Sequence, residues 1–98
     1  VASVQREIEW YQADDCRDIL LWQSPITQHY VAVVGIEKIF DSAVLRLVVF
    51  GPEVAENERN QVGAEIYEAL QMRYADKVLV GTIATQPILT EWRKLANG

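Results

Sequence analysis

The sequence predicts an α+β fold of one domain, residues 1–98, and three observations carry that prediction. The chain is 98 residues long, half of them hydrophobic, which suits a single core that buries roughly 65% of the unfolded surface. Apolar runs of strand length cluster in the first half. Apolar residues at helical spacing open the chain and return in its second half. The expected order is α-β-β-β-α-β-α, in two layers: a three-stranded antiparallel meander, then a helix that crosses over to a fourth strand.

Residues 1–13 place Val1, Val4, Ile8 and Tyr11 on one helical stripe, with Gln5, Arg6, Glu9 and Gln12 elsewhere. A strand through Ile8 and Trp10 is the alternative. Asp14-Asp15 ends this segment, because short acidic side chains favour loops and caps. Residues 18–24 (DILLWQS) read as the first strand, which Pro25 stops, and 25–28 as a turn. Residues 29–40 (HYVAVVGIEKIF) form the second strand, with room for a bend at Gly35. Asp41-Ser42 supplies turn chemistry, and 43–50 (AVLRLVVF) form the third strand.

Gly51-Pro52 closes the sheet run. Glu53, Glu56 and Glu58 precede a helical pattern through Val62, Ile66, Ala69, Leu70 and Tyr74, with Arg73 and Lys77 at the end that favours cations. Gly63 inside that helix implies a close approach by a neighbour, since glycine there otherwise costs about 1 kcal/mol against alanine. Residues 78–85 (VLVGTIAT) are the fourth strand. Pro87 opens a last helix that buries Ile88, Leu89, Trp92 and Leu95 and ends at Asn97-Gly98. The crossover to the fourth strand should be right-handed; its neighbour is strand one or strand three.

Charge and cysteine usage narrow the function classes. Fourteen acidic against nine basic side chains leave a formal charge of −5, which disfavours nucleic acid and anionic membrane surfaces as partners. Cys16 is the sole cysteine, so a reducing, cytoplasmic setting is expected. No apolar stretch reaches the ~18 residues of a membrane span, and no signal-peptide pattern is read. The chain opens on Val1 rather than Met, which leaves room for a segment upstream.

No constellation of catalytic residues emerges. Phosphate-binding glycine patterns are absent, and the serines stand outside nucleophile contexts. His29 is the only histidine and would need a carboxylate beside it to relay protons. Asp14, Asp15 and Asp18 are dense enough to suggest a divalent-metal site, but Arg17 lies among them and the glycine and terminal Glu of a calcium loop are missing. Cys16, in the same stretch, reads as a small half-buried side chain.

The strands carry the functional expectation. Residues 19–22, 30–34 and 47–50 are continuous apolar runs, where a sheet with one wet face would alternate. Either helices cover both faces, or one face is a large apolar patch of the kind that marks an interaction site. Trp10 lies off its helical stripe and suits a partner anchor. Arg46 is placed on one face with Val44, Val48 and Phe50. The reading is therefore a non-enzymatic protein–protein interaction module: an adaptor, assembly factor or regulatory subunit. Its candidate contact residues are Trp10, Trp22, Arg46, Val48 and Phe50, its partner is another protein or a second copy in a homodimer, and it uses no cofactor. The alternatives are a small metal-assisted enzyme built on Asp14, Asp15 and Asp18, and a sensor with a ligand pocket between sheet and helices.

Overall fold

The computed structural model describes residues 2–23 and 28–97, with side chains from Gln5 onward. It is an α+β domain in the expected order: α1 (Ala2–Gln12), β1 (Arg17–Gln23), β2 (Tyr30–Ile39), β3 (Ser42–Phe50), α2 (Arg59–Arg73), β4 (Val78–Gly81) and α3 (Gln86–Asn97), with a short 3-10 turn, Glu56–Glu58, ahead of α2. The expected turn at 25–28 and the glycine end of α3 fall largely outside the described residues, as does the side chain of Val4. Among the described residues, no helix is long and apolar enough to cross a membrane.

The sheet order is β1-β2-β3-β4. The first three strands form the antiparallel meander, and β4 lies parallel beside β3, with Ala43 opposite Leu79 and Leu45 opposite Gly81. The fourth strand therefore neighbours the third.

Helices α2 and α3 pack on one face of the sheet. Their Ile66, Leu70, Leu89 and Trp92 close over Ala32, Val34, Ile36, Ala43 and Leu45, all buried. The two helices meet at Gly63, where an added Cβ would overlap the indole ring of Trp92, so the sequence inference of close packing holds. Helix α1 takes the opposite face. The ring of Tyr11 occupies the space a Cβ on Gly35 would need, and Gly35 points away from its strand neighbours Val34 and Ile36. Helices thus cover both faces, but α1 touches mainly β1 and β2.

Several expectations are corrected locally. Strand β4 ends at Gly81 rather than Thr85. The Thr82 N–H donates to Thr85 Oγ1, the Thr85 N–H donates to Thr82 Oγ1, and the Thr85 hydroxyl donates to the Leu45 carbonyl at 2.5 Å. These bonds form a turn that starts α3 instead of extending the ladder. Ile88 and Leu95 are exposed, because α3 buries only the narrow stripe of Leu89 and Trp92. The β2–β3 turn is Phe40-Asp41 and not Asp41-Ser42, since Ile39 pairs with Ser42. Phe40 is almost fully exposed at φ 52, a left-handed conformation unfavourable for a bulky residue.

The main correction concerns faces. The β2–β3 register runs Gly35↔Leu47 and then Ile36↔Leu45, so Arg46 is an extra residue on β3. Such a bulge reverses the alternation along its strand. Val48 and Phe50 sit opposite Val34 and Ala32 and pack against the α2–α3 core. Arg46 turns to the α1 face. It does not share a face with Val48 and Phe50, and a charge placed at either of those positions would strike the core.

Candidate functional site

The sequence-predicted residues fall in separate places. Trp10 is partly exposed, 39%, but it is engaged. The Arg17 guanidinium lies 3.5 Å from its ring centroid and donates to the Trp10 carbonyl at 3.0 Å. Glu37 stands between Arg46, at 3.1 Å, and Arg17, whose Nε is 4.0 Å away. That Nε is buried with no hydrogen-bond partner among the described residues. Trp10 and Arg46 thus belong to a tether that holds α1 on the sheet. Arg6 also lines this surface, but Glu7 and Glu37 lie among the three cations.

The acidic stretch disperses. Asp14 accepts the Cys16 N–H at 2.8 Å, and that bond holds its carboxyl below the usual range. Asp18 accepts the Tyr74 hydroxyl at 2.6 Å and pairs with Lys38 at 3.5 Å. Among the described residues, no group of three metal-ligating side chains forms, so Asp14, Asp15 and Asp18 do not make the cluster that the spacing suggested. Cys16 is exposed rather than half-buried. His29 does have a carboxylate beside it, Glu53 at 2.9 Å, but both side chains are more than half exposed, and general acid–base work favours a site shielded from water.

Trp22 leads to the most distinctive feature, the outer edge of β1. The Lys38 N–H donates to the Cys16 carbonyl at 2.6 Å, and the register pairs Arg17 with Glu37. Bonded and unbonded pairs alternate along an antiparallel ladder. Asp18, Leu20 and Trp22 therefore direct their backbone groups at β2, while Arg17, Ile19 and Leu21 direct theirs outward. The Arg17 N–H is taken by the Asp14 carbonyl at 3.1 Å, so among the described residues Ile19 and Leu21 present the open amides and carbonyls, flanked by apolar side chains.

Leu21 is 49% exposed on this edge. On the α2 side a groove of about 500 Å³ runs along the strand, lined by Leu20, Trp22, Ile66, Ala69 and Leu70, with Arg73 at its charged end. Ile66, Leu70 and Arg73 recur at helical spacing, so one stripe of α2 forms the groove's far wall. This groove lies where a pocket between sheet and helices was anticipated.

The other edge is short and partly capped. The Val78 N–H donates to the Asp41 carbonyl at 2.7 Å, which in a parallel pair turns Leu79 and Gly81 outward. The Gly81 N–H is already taken by Gln86 Oε1 at 2.8 Å, and β4 is only four residues long. Short, capped edges are a common defence against strand pairing; on β1 the Asp14 carbonyl caps only the first outward amide, that of Arg17, and no bond to the Ile19 or Leu21 amide is seen among the described residues. Sequence reasoning singled out Trp22 but missed Leu20, Leu21 and the α2 wall. The run ILLW, three residues ahead of Pro25, was the available signal, and its position at an edge required the strand order. No protein-family model matches the chain, and a search of curated proteins finds no similar sequence.

Proposed function

We propose that the chain is a non-enzymatic protein–protein interaction module, an adaptor, assembly factor or regulatory subunit, that recruits its partner by adding an extended strand to β1. The observation that carries this reading is the contrast between the two edges: β4 is four residues long with its Gly81 amide on Gln86, whereas the seven-residue β1 presents Ile19 and Leu21 beside an apolar groove. Strand addition draws affinity from main-chain hydrogen bonds and specificity from alternate side chains that enter a groove. Here Leu20, Trp22 and the α2 stripe would receive apolar side chains, and Arg73 favours an acidic group at that end.

The test uses Leu21→Pro. The Leu21 N–H faces outward, so proline removes a donor from the open edge without breaking the β1–β2 ladder. Peptides selected from a random library against the wild-type domain should protect the Ile19 and Leu21 amides from hydrogen exchange and should not bind the variant. Ligands that bind the variant unchanged, or that protect only α1, would overturn the reading.

A further inference from the structure

We propose that the strand which occupies β1 is the β1 of a second copy, paired antiparallel about a two-fold axis at Leu20; this rests on the strand-addition reading above. The outward backbone groups belong to Arg17, Ile19 and Leu21, deduced from the bond register of the β1–β2 ladder; the Arg17 N–H is held by the Asp14 carbonyl, so the pairing bonds centre on Ile19 and Leu21. Two copies pair antiparallel only in registers that set these odd-numbered residues against one another. An axis at Leu20 meets this condition, with Ile19 bonded to the partner copy's Leu21 and the reverse.

Charge placement selects among the allowed registers. An axis at Asp18 would set the two Asp18 carboxylates opposite each other, and like charges across a strand pair repel. An axis at Ile19 or Leu21 leaves part of each strand unpaired. The axis at Leu20 overlaps the whole of β1, Arg17–Gln23. It sets Asp18 against Trp22 and Arg17 against Gln23, so no charge faces a like charge, and the centre is apolar on both faces. On one face the exposed Leu21 is covered by the other copy's Ile19. On the other, the two Leu20 side chains meet between the two grooves. Homodimers with two-fold symmetry are the commonest closed assemblies, and joining open edges is a direct way to form one.

Two measurements test this, both on the full 98-residue chain. Sedimentation should show a dimer at micromolar concentration, and Leu21→Pro should raise its Kd by roughly tenfold or more while circular dichroism and a cooperative melt remain those of a folded domain. In a Cys16→Ser background, Leu20→Cys should cross-link to itself under mild oxidation, because opposed residues of an unbonded pair bring their Cα atoms to about 4.5 Å, within disulfide range. Ile83→Cys, on the exposed turn before α3, should not. A wild-type monomer up to high micromolar concentration, or a dimer indifferent to Leu21→Pro and not cross-linked through Leu20→Cys, overturns self-pairing. Library peptides that still bind at β1 in either case would leave the interaction reading standing, which separates the two failures.

Discussion

Gly63 shows how one missing Cβ sets the distance between two helices. On an isolated helix, alanine would gain up to about 1 kcal/mol over glycine. In this domain the added carbon would overlap Trp92, which is 1% exposed and packs edge-on against Phe50 at 6.3 Å. Gly63→Ala should therefore destabilise the domain by about 1–3 kcal/mol, the usual cost of overpacking a core, and should perturb Trp92 fluorescence. Stabilisation on chemical denaturation would contradict this account of α2–α3 packing. Gly63 was legible in the sequence because a glycine inside a strong helical pattern asks for a reason. Phe40 was not: its left-handed backbone depends on a turn one residue earlier than the Asp-Ser chemistry suggests, and a phenylalanine gives no local sign of it.

At the scale of elements, helix α1 is the least embedded. Tyr11 is its one buried side chain among those described, and it depends on the absence of a side chain at Gly35. Gly35→Ala should displace Tyr11 and loosen α1. Faster amide exchange in residues 5–12 and a shift in Trp10 emission should report this, while the α2–α3 core keeps its protection. Equal loss of protection across the whole domain would instead place α1 in the same cooperative unit as the core.

The strands as elements were legible from their apolar runs, and so were the helices from their spacing. The face each strand residue takes was not legible in β3. A single extra residue, Arg46, reverses the alternation, and bulges leave little trace in a sequence that is apolar on both sides of the point. For that reason Val48 and Phe50 were placed on one face with Arg46, whereas in β1 the alternation runs unbroken from Arg17 to Trp22.

Over the whole molecule, one long-range bond ties the end of α2 to the start of β1. The buried Tyr74 hydroxyl donates to Asp18, and burial first, then that bond, push its phenol up to about 12. In an unfolded chain tyrosine titrates near 10. Between these values the unfolded chain releases a proton that the folded one keeps. The stabilisation is thus complete below about pH 10 and lost as pH rises toward about 12, to the extent of about 2 kcal/mol. Denaturation midpoints across that window should fall, and Tyr74→Phe should flatten the slope. A slope the same in both proteins would assign the alkaline loss to other groups.

The overall order of elements was within reach of the sequence, while cover over both sheet faces was left as one of two alternatives, because periodicity does not say which face a helix takes. The strand order was left open between two neighbours for β4, because it depends on a crossover that periodicity does not describe. The candidate site follows from strand order, so it became visible only once β1 was known to lie at an edge.

The unequal edges also set a stoichiometry. With β4 four residues long and its Gly81 amide on Gln86 Oε1, strand addition as proposed falls to β1, which gives the molecule a valence of one for it. In the proposed two-fold pairing each β1 covers the other, so the dimer is left only with its two short β4 edges and a fibre has no long edge from which to extend. Any extended segment that takes β1 must also displace whatever strand was there. On the proposed reading, self-association and recruitment of another protein are therefore mutually exclusive at this edge, and the concentration of the chain itself would enter how tightly it holds anything else.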